Sequence, residues 1–232
     1  MGSCKQKNRI MKKIVFTTLL NFMLCVSACA QLKNDTIMIE KFNYEAVEGK
    51  LGDVSLKEGD WIIDISLTTI RGYQKEYAPA KDFYVIEKRY HLNGVMSFYC
   101  KFLGGVSFGE RRHYDESGNL IEIIDEDKKF GNIKPHDIVD IIEKVGWINR
   151  ETGENIMTKT ILETTGNFYR TIFNDSRRLK VGFSPAKYSQ DGEKMFSSWW
   201  FFAYSDGVTR RSYTVNGDTG EYRYSERTEY IP

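Results

Sequence analysis

The stretches Tyr90-His91-Leu92-Asn93-Gly94 and Tyr114-Asp115-Glu116-Ser117-Gly118 decide the fold that this sequence predicts. Each consists of an aromatic residue, a short polar step and a glycine, and the second follows the first by 24 residues. Glycine supplies the positive φ that a tight hairpin turn needs at little steric cost. A fixed interval of this size indicates a repeated hairpin unit.

Similar turn signals recur at residues 188–192, 204–207 and 213–217, each beginning with Tyr and ending with Gly. Short strands separated by such turns are typical of antiparallel, hairpin-built proteins. The sequence therefore predicts a mainly β (α+β) protein made of antiparallel hairpin or meander sheets.

One amphipathic helix is expected over residues 135–145. Apolar residues recur there at the spacing of a helical stripe, namely Ile138, Ile141, Ile142 and Val145. Pro135 suits the first turn of a helix, and Gly146 suits its end.

Several strands are expected from alternation and β propensity. Residues 61–67 alternate apolar and polar side chains, as in a half-buried strand. Residues 199–204 are apolar on both faces, which predicts a central strand covered on both sides, on one of them by the helix. Residues 71–81 are polar and are expected to form a connection. The other expected strands are residues 35–44, 82–90, 167–173, 178–183, 208–215 and 221–230.

The first 28 residues have the pattern of an export signal. They contain five basic and no acidic residues, and the apolar run 14–26 is shorter than the about 20 residues that span a bilayer. The run Met11-Lys12-Lys13-Ile14 is already a complete start to a signal peptide, so Met1 and Met11 are both possible initiators.

Val26-Ser27-Ala28-Cys29 resembles the lipobox of bacterial lipoproteins. The resemblance implies that Cys29 carries the lipid, palmitate included, and becomes the mature N-terminus. The protein would then be held by this lipid anchor on a membrane of the bacterial cell envelope, at the outer membrane or facing the periplasm. The alternative is ordinary cleavage after Ala30, which would release a soluble protein.

Removal of residues 1–28 leaves 204 residues with 28 basic and 32 acidic side chains, a net charge of −4. This mild acidity argues against nucleic acid as a partner. We expect two regions, a β-hairpin region at 29–130 and a helix plus antiparallel sheet at 131–232. Apart from Cys29, only Cys100 remains, so no internal disulfide is expected.

Residues 105–120 resemble the MORN-like repeats of bacterial antitoxin-type and surface proteins. They contain Gly105, the pair Gly109-Glu110, an aromatic strand and a polar turn at Gly118. Residues 90–96 match the end of a preceding unit. The resemblance implies repeated hairpins and suggests an immunity protein that acts against a toxin. Residues 213–221 also resemble the closing hairpin of PepSY-type domains, small exported modules often linked to protease inhibition.

No catalytic constellation is visible in the sequence. His91, His113 and His136 lack the spacing of metal ligands, and the polar loop at 216–221 lacks the acidic ligands of a calcium site. Cys100 lies in an apolar run, where a buried structural thiol is the ordinary interpretation. The prediction is a protein that is not an enzyme and that has no metal and no cofactor.

The aromatic content, with 14 Tyr, 14 Phe and 4 Trp, is the remaining functional clue. Exposed aromatic residues on a rigid sheet form good binding faces. The candidates are Tyr90, Tyr114, Tyr222 and Tyr224. We expect a non-catalytic module that binds an unknown protein, either a toxin or a surface component, or a glycan. The alternatives are an envelope hydrolase assembled from distant residues such as Cys100 and His113, and a structural or assembly component of the cell surface.

Overall fold

The strands follow one another as antiparallel neighbours, as the turn signals predict. The computed structural model describes residues 40–50, 53–69, 71–79, 81–151, 154–155, 160–161, 179–188, 190–204 and 209–228. The expected export signal and Cys29 lie outside these residues, as do the expected strand at 167–173 and residues 35–39.

The first sheet is a seven-stranded meander in which every strand pairs with the next one in sequence. Its strands are β1 (Val54–Glu58), β2 (Trp61–Leu67), β3 (Gly72–Tyr77), β4 (Val85–Tyr90), β5 (Met96–Leu103), β6 (Val106–Tyr114) and β7 (Leu120–Asp125). A short 3-10 helix, Glu126–Lys129, follows β7. The strands expected at 61–67 and 82–90 are confirmed as β2 and β4.

The second sheet has four antiparallel strands in the order β10-β13-β14-β15. They are β10 (Lys180–Ser184), β13 (Ser198–Tyr204), β14 (Thr209–Asn216) and β15 (Tyr222–Thr228). Two short two-stranded pairs complete the described strands. They are β8 (Glu154–Asn155) with β9 (Thr160–Ile161), and β11 (Lys187–Tyr188) with β12 (Lys194–Met195).

The two repeated turns have the same backbone hydrogen bonds. In the first, Gly94 N donates to His91 O at 2.9 Å, and in the second Gly118 N donates to Asp115 O at 2.9 Å. Both glycines have positive φ, 80° and 84°. The turns also lie side by side, because Asn93 Nδ2 donates to Glu116 O at 2.8 Å. The interval read from the sequence thus corresponds to two equivalent turns on the same sheet.

The expected helix is confirmed as α2 (Pro135–Lys144), which follows the single-turn helix α1 (Tyr44–Val47). Its first turn is held by the backbone N–H of Lys134, which donates to Asp137 Oδ2 at 2.7 Å. Ile138 and Ile142 are fully buried. Both belong to a core cluster that also contains Trp199. The helix therefore contributes to the same core as the buried side of β13.

Three strand predictions need correction. Residues 72–77 form β3, although their polar composition predicted a connection, because β2 and β4 flank this segment and satisfy its backbone. In the segment expected to be a strand at 35–44, Lys41 makes only a single β-bridge, with Val95, and Tyr44 begins α1. Finally, β13 is central but covered on one side only, since Trp200 is 36% exposed.

The hydrophobic core contains residues from both sides of the boundary that we expected between residues 130 and 131. One cluster of buried side chains contains Ile62 and Leu103 from the first sheet together with Phe130, Ile138 and Trp199. All described residues belong to one compact unit, Glu40–Pro232. The division into 29–130 and 131–232 stays a prediction.

Candidate functional site

The second sheet leaves one of its faces open, and we call this surface the open face. Along β13, Trp199, Phe201 and Ala203 are 0% exposed and lie against the core, so Trp200 and Phe202 lie on the opposite side. Strand register places the described residues of the open face, which are Lys180, Gly182, Ser184, Ser198, Trp200, Phe202, Arg210, Ser212, Thr214, Asn216, Arg223, Ser225 and Arg227.

An aromatic stack lies in the middle of the open face. The rings of Trp200 and Phe202 are stacked, with centroids 5.7 Å apart and an interplanar angle of 18°. The guanidinium carbon of Arg210 lies 3.9 Å from the centroid of Phe202. A cation over an aromatic ring is attracted by the ring's negative face. The three side chains thus form a continuous row across β13 and β14.

The indole of Trp200 packs directly over the backbone of Gly182, which has no side chain to obstruct it. The two residues are direct partners across β10 and β13. A Cβ built on Gly182 would overlap the six-membered part of the indole ring. A depression of about 390 Å³ adjoins this pair, between the β5–β6 turn at Gly105 and strand β10.

Positive charge surrounds the stack. Lys180, Arg210, Arg223 and Arg227 lie on the open face, and the described strand residues of this face include no Asp or Glu. Arg223 and Arg227 are exposed, whereas Lys180 and Arg210 are half-buried. The open face thus has an aromatic centre and a cationic rim.

Two of the four predicted tyrosines are not available to a partner. Tyr90 is 1% exposed, and its hydroxyl donates to Glu40 Oε1 at 2.8 Å. Tyr114 is 6% exposed. Both tyrosines were candidates for the binding face because they occupy equivalent positions in the repeated unit. Packing against residues distant in sequence buries both rings. The binding face that we expected these two residues to share is therefore absent.

The other two predicted tyrosines are exposed, but on the opposite side of the sheet from Trp200. Tyr222 and Tyr224 are 38% and 49% exposed and pack against Tyr213, at 5.7 Å and 5.1 Å between centroids. The Tyr224 hydroxyl donates to Glu226, which raises the pKa of this phenol. Whether these rings bind a partner stays a prediction.

Cys100 is fully buried, with a relative exposure of 0%. Burial, with a smaller contribution from the carboxylate of Glu126, raises the pKa of the thiol to about 11. The thiolate is the reactive form of cysteine, so this thiol is poorly suited to act as a nucleophile. The interpretation of Cys100 as a structural thiol is consistent with this environment.

Each of the three histidines contacts a different group. His91 Nε2 lies 3.0 Å from the carbonyl oxygen of Tyr114, and the ring of His113 packs edge-on against Phe98. His136 lies next to Asp137, with 3.2 Å between Nε2 and Oδ1. Within the part of the chain that the structure describes, no group of three or more His, Cys, Asp or Glu could hold a metal ion.

A cavity of about 1300 Å³ lies between the β1–β2 turn, the 79–82 loop and the chain after α2. Among the charged residues that line it, acidic ones outnumber basic ones. They are Glu58, Asp60, Asp82, Glu143 and Glu151, against Lys81 and Arg150. Arg150 already binds Asp140 and Glu143, with both oxygens 2.7 Å from Nη2. Burial raises the pKa of Glu143, but the hydrogen bonds and charge of Arg150 outweigh this effect and lower the pKa below its usual value. The pairing of Arg150 with these carboxylates holds one wall of the cavity together.

The polar loop at 216–221 is a turn, as expected. Asn216 Oδ1 accepts hydrogen bonds from the backbone N–H groups of Asp218 and Thr219, at 2.8 Å and 3.1 Å. The side-chain oxygen of Asn216 is therefore engaged by the backbone of its own turn. The loop serves to connect β14 to β15.

Sequence reasoning missed the cations of the open face, although a signal was present. Arg210, Ser212 and Thr214 alternate along β14, and Arg223, Ser225 and Arg227 alternate along β15. Such period-two patterns of basic and hydroxyl residues indicate one solvated face. We expected the neighbouring apolar strand to be covered on both sides, so this pattern was not recognised.

The described residues include no helix long and apolar enough to cross a membrane. No family model, curated protein or solved structure matches the chain.

Proposed function

We propose that this protein is an exported, lipid-anchored protein of the bacterial cell envelope that binds another protein without catalysis. The open face is the proposed binding surface. The observation that supports this most strongly is the stacked row Trp200–Phe202–Arg210, which lies on the side of the sheet that α2 leaves uncovered. Trp, Phe and Arg are enriched in the cores of protein interfaces, and Trp and Arg dominate binding hot spots.

The lipid anchor in this proposal rests on the resemblance of residues 26–29 to a lipobox. Labelled palmitate should be incorporated by the wild type and not by Cys29→Ala, which should also move from the membrane fraction to the soluble fraction. Cleavage after Ala30 predicts instead that neither protein carries the label.

A hydrolase that uses Cys100 as its nucleophile is the less favoured alternative. The raised pKa leaves little thiolate at neutral pH, and the thiol has no exposed surface. A structural or assembly role at the cell surface is compatible with the same open face. It differs in the partner, which would be a surface component rather than a toxin.

Capture from an envelope extract tests the proposal. The wild type should retain a partner that Trp200→Ser with Phe202→Ser loses, whereas Tyr224→Ser on the opposite face should retain it. Loss with Tyr224→Ser alone would move the binding surface to the other side of the sheet. Immunity, which the MORN-like resemblance suggests, requires in addition that the captured partner be toxic to cells that lack this protein.

A further inference from the structure

We infer that the open face docks onto an acidic patch of its protein partner. This inference rests on the proposed function and adds the chemistry of the surface that is recognised. Its starting point is the charge of the face, since Lys180, Arg210, Arg223 and Arg227 occur there without a carboxylate among the described strand residues. Complementary potentials across an interface steer association and suppress wrong partners.

The pairing between β14 and β15 places like charges together on this face alone. Arg210 lies directly opposite Arg227, and one residue along, on the other face, Arg211 lies opposite Glu226. The second pair is complementary, with Arg211 Nε 3.4 Å from Glu226 Oε2. Like charges directly opposite each other across two strands destabilise a sheet. The pairing therefore concentrates positive charge where β14 and β15 meet on the open face.

The side chains between the cations complete the surface. Ser212, Thr214 and Ser225 are neutral hydroxyl residues, and Ser212 Oγ lies 2.8 Å from Ser225 Oγ. Hydroxyl groups donate and accept hydrogen bonds, so they can adapt to carboxylates or to backbone groups. The arrangement is an aromatic centre, a polar middle and a cationic rim, which is the general anatomy of a protein interface.

The size of the face fits part of a protein interface. Strand β14 has eight residues. With about 3.3 Å per residue and about 4.8 Å between strands, the face measures roughly 15 Å by 25 Å. That is about half of the roughly 800 Å² that each partner buries in a standard protein complex. The contact would thus be centred on the stack and extend beyond the strands.

A protein partner is favoured over a nucleic acid by the distribution of charge. The chain after residue 28 has a net charge of −4, whereas the described strand residues of the open face include four cations and no carboxylate. Tight binding to a phosphate backbone needs many cations along a continuous track. Four cations around two stacked rings suit a bounded acidic patch better.

A poly-glutamate peptide of about ten residues with a fluorescent label is a suitable probe for fluorescence anisotropy. Arg223→Ser with Arg227→Ser should weaken its binding about tenfold or more, as should an increase of NaCl from 50 to 500 mM. Arg211→Ser is the matched control, since Arg211 lies on the opposite face beside Glu226, and binding should stay within about twofold. All three replaced arginines lie at the surface, so thermal unfolding should show intact folding for each variant.

Three results would overturn the inference. The first is equal weakening by Arg211→Ser, and the second is no binding of the peptide at low salt. The third is tighter binding of a single-stranded oligonucleotide, or of phosphatidylglycerol vesicles, than of the peptide. The envelope capture separates this inference from the proposed function. The captured partner could be lost by the variant with Trp200→Ser and Phe202→Ser but retained by the variant with Arg223→Ser and Arg227→Ser. That result would support the proposed binding function and contradict recognition of an acidic patch.

Discussion

Replacement of Gly182 by Ala should have opposite effects on stability depending on the residue at position 200. In an ordinary strand this substitution is favourable, since interior glycine costs roughly 0.5–1 kcal/mol relative to alanine. Here the new methyl group would overlap the indole of Trp200, which lies over Gly182. Small-to-large changes at a packed position typically cost about 1–3 kcal/mol. We therefore expect Gly182→Ala to lower the free energy of unfolding by roughly 1–2 kcal/mol.

In a Trp200→Ala background the overlap is absent. The same Gly182→Ala change should then raise the free energy of unfolding by about 0.5–1 kcal/mol. The coupling between the two sites is the difference between these effects, of the order of 2 kcal/mol, which lies within the range measured for residues in contact.

Urea unfolding of the four proteins of this double-mutant cycle, monitored by far-UV circular dichroism, measures the coupling. Ser225→Ala, on the open face but two strands away from β13, is the control, and its effect should be similar with Trp200 present and absent. Destabilisation by Gly182→Ala of the same size with Trp200 present and absent would refute the packing of the indole over the glycine.

Two further predictions concern the core and alkaline pH. Ile142→Ala should cost about 2–5 kcal/mol of unfolding free energy because Ile142 is fully buried in the core cluster. Ile121→Ala on exposed β7 should cost less than about 1 kcal/mol, and equal effects of the two changes in urea titrations would contradict this burial. The pKa of Cys100 is raised from 9.0 to about 11, so the unfolded chain releases this proton first and stability is lost as pH rises from 9 towards 11. The wild type should lose about 2 kcal/mol more than Cys100→Ala between these pH values, and parallel stability profiles of the two proteins would show that the thiol keeps an ordinary pKa.

Elements defined by local periodicity were predictable from the sequence. The stripe at 138–145 predicted α2 because a helix brings residues three and four apart onto one face. The alternation at 61–67 predicted β2 for the corresponding reason in a strand. The glycines at 94 and 118 predicted two turns whose hydrogen bonds are equivalent in the structure.

Elements that depend on distant neighbours were not predictable in the same way. Strand β3 is polar in composition, and it forms because β2 and β4 provide hydrogen-bond partners on both sides. One of its side chains, Glu76, pairs with buried Lys88, which Glu40 also contacts at 2.6 Å. These two carboxylates raise the pKa of Lys88 although burial lowers it. No pattern within residues 71–81 contains this information.

The sequence by itself determined the antiparallel hairpins, the amphipathic helix at 135–145 and the alternation that divides the side chains of each strand between its two sides. Strand pairing then brought Trp200, Arg210 and Arg227 onto one face. Only the tertiary structure decided which faces are covered. It buried Tyr90 against Phe42 and left Trp200 partly exposed. The physical reason is that alternation assigns a side chain to a side of its strand, whereas exposure depends on whether residues far away in the chain pack against that side.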